Sequence, residues 1–266
     1  MCNVNPGWKL WSRYLTAVIL TVLLAGISIV IYPEQKNFLC AEERPGVEDV
    51  IKATGQFVRS HKDLLKKSVE SLKNLEQPTD QIAAWIEGVP LTVGELEFRK
   101  GLYKSLNPSF ESHVVFNVLA EEKILLNEAI KRKVVPVSEE INKFLAKEKE
   151  EYKSNPNYRA AVDLLIKEWG LSEAEYWDDY EWYNAFRIIM IDKLYKAVIK
   201  EAEEAGLVPK SSGTSDADEM LEDQKAKESY WNHFKLELKR RANVQFNQNI
   251  PFLEEMKFDR EKWYLS

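Results

Sequence analysis

The chain has 266 residues, enough for one or two domains, and a net charge of −6 at pH 7. Its basic residues are dispersed among glutamates, which argues against nucleic acid as a partner. With two cysteines, three histidines and no Cys-x-x-Cys or His-Glu-x-x-His pattern, the sequence gives no support for zinc binding or thiol redox chemistry, and we expect no cofactor.

The N-terminal region predicts a membrane anchor. Residues 1–13 carry two basic side chains, and residues 14–32 contain no charge over a length that crosses the hydrocarbon layer of a bilayer. Tyr14 and Tyr32 at the two ends fit the aromatic belts of membrane interfaces. A cleaved signal peptide is the alternative, although its apolar part is usually shorter and ends at a small-residue cleavage site. We expect a single-pass protein of the bacterial cytoplasmic membrane whose C-terminal domain is extracytoplasmic.

A linker and an amphipathic helix follow the predicted anchor. Residues 33–46 are polar and contain two prolines, and residues 47–76 show apolar side chains at helical spacing between Lys and Glu. That spacing predicts a helix packed on the domain. It is also compatible with a stalk or coiled coil, so a homo-oligomer formed through 47–76 is an open alternative.

Two short β-prone runs stand far apart in the chain. Residues 82–91 contain the turn signal Glu87-Gly88, and residues 242–247 alternate apolar and polar side chains. Since an isolated strand is unstable, we predict that the two runs pair as a small two-stranded sheet. Residues 207–228 are rich in Ser, Asp and Lys and predict a flexible loop, and residues 248–266 form an aromatic-rich tail.

The most apolar part of the chain is a predicted long helix over 169–206. Ser172 and Glu175 have the spacing of a capping box, and Gly206 suits the left-handed residue that ends a helix. Apolar residues between Trp182 and Ile199 are too many for a single stripe. We therefore expect other helices to surround this one.

The segment 82–247 resembles the N-terminal chaperone module of the SurA- and PrsA-type foldases. The resemblance is carried by the order of four pieces: IAAWIEGVPLTVGELEFRKGL, EEKILLNEAIKRKVVPVSEEINKFL, WGLSEAEYWDDYEWYNAFRIIMIDKLYKAVI and YWNHFKLELKRRANVQF. Members of that family carry a parvulin-type prolyl isomerase before the closing helix and strand, where this chain has only residues 207–228. The resemblance thus implies a mainly α, SurA-like helical module with chaperone function and no enzyme activity, and the uncharged run 14–32 places a transmembrane helix before it.

A chaperone that holds unfolded chains needs exposed apolar surface and no reacting group. Aromatic side chains suit such a surface because they offer a large contact area. Six candidates for binding clients crowd around the start of the long helix: Trp169, Tyr176, Trp177, Tyr180, Trp182 and Tyr183. We expect most of them in the core and two or three lining a groove.

The predicted function is that of a membrane-anchored extracytoplasmic holdase for unfolded or extended polypeptides during export or envelope protein folding. A membrane-tethered scaffold for one dedicated secretion or envelope partner is the alternative. The extra helix at 47–76 and the tail favour that alternative, since a minimal holdase needs neither. An active prolyl isomerase is the third interpretation, and the paired histidines of a parvulin site have no counterpart in the sequence pattern.

Overall fold

The computed structural model describes residues 47–210, 217–250, 253 and 256–265. The predicted N-terminal segment, anchor and linker (1–13, 14–32 and 33–46) lie outside these residues. Within the described ranges, no helix has both the length and the apolar character that a membrane span requires.

The described residues form a mainly helical fold with a small antiparallel sheet. They contain eight helices, of which the long helix α7 has seven others around it or before and after it in the chain. The first turn of α7 is α-helical, its second is a π-helical turn, and the remainder is α-helical. The elements in chain order are α1 (Val47–Ser60), α2 (Lys62–Lys73), β1 (Ile82–Ile86), β2 (Val89–Thr92), α3 (Val93–Leu106), α4 (Ser112–Lys131), α5 (Ser138–Ser154), α6 (Pro156–Trp169), α7 (Glu173–Glu175, Tyr176–Tyr180 and Glu181–Glu204), α8 (Ala217–Arg241) and β3 (Val244–Phe246).

The sheet confirms the predicted long-range pairing and corrects the number of strands. β1 pairs antiparallel with β3, with Trp85 opposite Gln245, and it also pairs with β2 to give the strand order β2-β1-β3. The predicted two-stranded sheet is therefore three-stranded, because residues 82–91 fold back on themselves. Glu87 and Gly88 make this possible with φ values of 52° and 83°, the backbone of a tight type I′ hairpin turn.

The segment 47–76 forms two helices rather than one, broken at His61 between α1 and α2. Its apolar face is covered by the rest of the domain, as buried Ile51 in α1 and Val69 in α2 show. The indole of Trp169 donates a 3.0 Å hydrogen bond to Thr54 Oγ1. Arg59 donates to the carbonyls of Lys167 and Glu168 in the last turn of α6. Both helices of this segment are therefore packed on the domain, as the helical spacing predicted.

The long helix begins and ends as its capping residues predict. Ser172 Oγ accepts from the backbone N–H of Glu175, at 3.1 Å, and the Glu175 carboxylate accepts from the N–H of Ser172, at 2.8 Å. Trp169 belongs to the preceding helix α6, which ends at Gly170 with a left-handed φ of 65°. Gly206, at φ 71°, follows the end of α7. Over residues 181–187 buried side chains lie on all sides of α7, and further along they follow one side, so the first half of this helix is enclosed by the fold.

The predicted loop 207–228 is wrong in its second half, because α8 already begins at Ala217. Residues 217–228 are polar, but Glu, Met, Leu, Gln, Lys and Ala are strong helix formers. An ion pair between Lys227 Nζ and Glu203 Oε1, at 2.5 Å, joins this part of α8 to α7. Polar composition alone therefore misplaced the start of the helix.

Candidate functional site

The structure places the predicted client-binding cluster mostly in the core. Five of the six side chains are at most 4% exposed: Trp169, Tyr176, Trp177, Tyr180 and Tyr183. Their rings pack edge to face, with the centroids of Trp169 and Tyr180 4.9 Å apart. Trp182 alone is partly exposed; it stacks on Phe186 and lies 4.7 Å below Lys73 Nζ. A groove lined by two or three of these rings is not formed, because the rings are covered by several helices: Trp177 packs on Tyr152 of α5, and Tyr183 accepts a hydrogen bond from Arg99 of α3.

A buried ionic cluster joins α3, α4 and α7. The guanidinium of Arg99 donates to both carboxylate oxygens of Glu122, at 3.1 and 3.3 Å, and Arg187 donates to the same carboxylate. Beside them Lys123 Nζ lies 2.6 Å from Glu95 Oε1. Burial opposes the charge on Glu122, but the guanidiniums of Arg187 and Arg99 hold the pKa of this carboxyl below its usual value. The cluster is therefore charged and locks three helices together.

The cavity beside this cluster is too small for a substrate. Its volume is about 20 Å³, room for about one water molecule, and its lining is mostly apolar. Among the described residues, no group of His, Cys, Asp and Glu side chains has an arrangement that would hold a metal ion. The sequence signal for the cluster is Arg187, the one charged residue between Trp182 and Ile191 in α7. We interpret the cluster as structural.

A second buried charge sits next to the π-helical turn of α7. Glu181 is fully buried and accepts from Tyr176 Oη, at 3.3 Å, and Asn184 Nδ2, at 3.4 Å. Its other carboxylate oxygen has no hydrogen-bond partner among the described residues. Burial, together with the nearby charge of Glu148, raises the pKa of Glu181 to about 7. The side chain therefore exchanges its proton near neutral pH.

This raised pKa predicts a pH-dependent stability. The folded chain holds the proton of Glu181 more tightly than the unfolded chain, whose carboxyl has a pKa of 4.5. The stabilisation is complete below pH 4.5 and is lost as the pH rises to about 7. We expect the wild type to lose about 3 kcal/mol relative to Glu181→Gln between these limits. Urea unfolding of both proteins over this range measures it, and parallel curves would contradict the assignment.

Partly exposed aromatic rings line α8. We define the α8 aromatic surface as five side chains from α7, α8 and the tail: Tyr195, Tyr230, Trp231, Phe234 and Trp263. The rings of Trp231 and Phe234 stack with centroids 5.7 Å apart, and Tyr195 meets Trp231 edge to face. Helical spacing places Trp231 and Phe234 on one face of α8, but this spacing is the same for a covered face and an exposed one.

Cations flank the α8 aromatic surface. Lys235 Nζ lies 5.6 Å from the ring centre of Trp231 and 5.4 Å from that of Trp263. The guanidinium of Arg132, from the end of α4, lies 5.6 Å from the ring of Phe234. Such pairs hold the ring faces in place and keep polar groups beside them. This surface offers aromatic contact area together with hydrogen-bond donors, and it is our candidate functional site.

Comparison with known proteins gives no relative from which to transfer a function. No model of a known protein family matches the chain, and no curated protein or solved structure matches it significantly. The resemblance to the SurA-type module stays a prediction that depends on the sequence pieces quoted above. The function is therefore argued from the residues themselves.

Proposed function

We propose that the chain is a membrane-anchored extracytoplasmic holdase that binds unfolded or extended polypeptides without covalent chemistry. The observation that carries the proposal is the α8 aromatic surface, whose rings are left partly exposed. Large apolar groups on a surface mark interaction sites when they are contiguous. The predicted anchor at 14–32 would hold this surface next to the membrane that exported polypeptides cross.

The energetics of the α8 aromatic surface suit weak and reversible capture. Burying one large apolar side chain against a client contributes roughly 1.5–3 kcal/mol. Association and the ordering of an unfolded segment cost several kcal/mol, so a few such contacts leave a small net affinity. Lys235, beside the ring of Trp231, would donate hydrogen bonds to client carbonyls and attract acidic segments, whereas Arg132 is paired with Glu128 and Glu201. Such contacts depend little on client sequence, as a holdase requires.

Replacing Trp231 tests this surface. We expect Trp231→Ala to weaken binding of a reduced, carboxymethylated unfolded protein about tenfold, because roughly 1.4 kcal/mol of aromatic contact is lost. Fluorescence anisotropy with the full-length protein in detergent measures the dissociation constant. His233→Ala is the matched control, since His233 is an exposed residue of the same helix and lies outside the aromatic surface. The proposed role of Trp231 would be contradicted if both substitutions weakened binding equally, or if neither substitution weakened it.

The alternative, a scaffold for one dedicated partner, makes a different prediction for the same experiment. A scaffold would show no binding to unrelated unfolded proteins and would bind one folded envelope protein at a fixed stoichiometry. Acceleration of proline cis–trans exchange in a test peptide would reject both interpretations, because it requires an isomerase site. Thermal melting of each variant confirms that a change in binding is not a change in folding.

A further inference from the structure

The C-terminal segment contacts the helical body through its own backbone. We call residues 257–265 the tail segment; they form neither helix nor strand. Asn117 on α4 donates from Nδ2 to the carbonyl of Lys257, at 2.7 Å, and accepts at Oδ1 from the N–H of Asp259, at 2.9 Å. One buried side-chain amide thus binds both a C=O and an N–H of the tail segment.

The other end of the tail segment is held in the same way. The carboxylate of Glu121, one turn further along α4, accepts from the backbone N–H groups of Tyr264 and Leu265. Lys239 on α8 donates to the carbonyl of Lys262. We call the site formed by Asn117, Glu121 and Lys239 the tail groove. All of these contacts go to main-chain atoms, so a segment of a different sequence can also make them.

Two features indicate that the tail segment is exchangeable. Glu121 and Lys239 also pair with each other, at 2.5 Å, so each keeps a charged partner when the tail segment leaves. The indole N–H of Trp263 is buried without a hydrogen-bond partner among the described residues. Burying a donor without a partner costs free energy. The tail segment therefore binds the groove less favourably than a segment that buries no unpaired donor.

We propose that the tail groove is a binding site for polypeptide backbone and that a client segment displaces the tail segment from it. This inference rests on the proposed holdase function and adds a specific site to it. The groove adjoins the α8 aromatic surface, because Lys239 of the groove lies on α8 one turn beyond Lys235, whose Nζ is 5.6 Å from the ring centre of Trp231. A captured chain would place its backbone in the groove and its apolar side chains on the rings that stay when the tail segment leaves, which are Tyr195, Tyr230, Trp231 and Phe234.

The tail segment then acts as a built-in competitor. Only molecules whose groove is empty can bind a client. The apparent affinity is therefore the intrinsic affinity multiplied by the fraction of molecules with an empty groove. Substitutions on the tail side should raise that affinity and leave the groove intact. Tyr264 and Leu265 are suitable, because their side chains are buried in the self-contact and neither residue belongs to the groove, although Tyr264→Ala also removes the ring that lies 4.5 Å from Lys239 Nζ.

The experiment compares full-length wild type with Tyr264→Ala/Leu265→Ala, using a reduced, carboxymethylated unfolded protein as probe. We expect the double variant to bind the probe at least about tenfold more tightly. Glu261→Ala is the control; Glu261 is exposed in the same segment, and its side chain contacts only Arg240 among the interactions described. It should leave the dissociation constant unchanged.

Hydrogen exchange of the wild type provides a second readout that needs no variant. Adding the probe should speed exchange of the backbone amides of Tyr264 and Leu265 and leave β1 unchanged. If the probe binds while these amides stay protected and the double variant gains no affinity, the groove proposal is overturned and the holdase function stands. If neither wild type nor variants bind the probe, the holdase function itself fails. Should the double variant not fold, the exchange result decides.

Discussion

Glu122→Ala is expected to lower the free energy of unfolding by about 3–5 kcal/mol, the cost of breaking a buried ion pair from one side. The substitution leaves Arg99 and Arg187 facing each other, and these side chains belong to residues only 1% and 3% exposed. Neither guanidinium gives up its proton, so both would remain charged without a carboxylate. Urea unfolding followed by circular dichroism at neutral pH measures the loss.

The matched control for Glu122 is an exposed ion pair. Glu150 lies 2.9 Å from Lys153 on α5, and both side chains are more than half exposed. Glu150→Ala should change stability by less than about 1 kcal/mol, because solvent screens such pairs. A loss at Glu122 no greater than the loss at Glu150 would show that the central cluster does not hold the helices together.

The second large effect is expected at Glu121. Glu121→Ala removes the acceptor for the backbone N–H groups of Tyr264 and Leu265 and the charge partner of Lys239, whose side chain is fully buried. We expect the free energy of unfolding to fall by about 3–5 kcal/mol, and the tail segment to detach before the rest unfolds. Hydrogen exchange should show the amides of residues 257–265 unprotected while β1 stays protected.

Arg240→Ala is the control for this substitution, since Arg240 makes exposed contacts with Glu237 and with Glu261 of the tail. We expect it to leave the tail amides protected. If Glu121→Ala also left them protected, the tail segment would be held chiefly by its side chains, and the backbone contacts would not explain its position.

Local signals in the sequence were sufficient for much of the fold. The capping box of Ser172 and Glu175 and the left-handed residue Gly206 are short-range features, and they set the limits of α7 regardless of the rest. The pairing of β1 with β3 followed from the instability of lone strands. The hairpin of β1 and β2 was missed, although Glu87-Gly88 marked the turn, because the whole run 82–91 was assigned to one strand.

The parts that the sequence did not predict depend on what packs against each face. Apolar spacing on α7 and on α8 looks alike, yet Tyr176 and Trp177 are enclosed and Trp231 is left partly exposed. The burial of Glu121 and Glu122 also cannot be predicted from the neighbouring sequence. Their charge partners come from other elements, and Arg187 and Lys239 are more than sixty residues away in the chain. Such partners are brought together only by the tertiary fold.

The central claim is that this chain captures unfolded polypeptide through the α8 aromatic surface. Its most direct test is a titration of the full-length protein, in detergent and without nucleotide, with two unrelated reduced and carboxymethylated proteins. We expect both proteins to bind and to compete with each other, and we expect Trp231→Ala to weaken the binding of both. Failure of both to bind, or binding of both that is unaffected by Trp231→Ala, would contradict it.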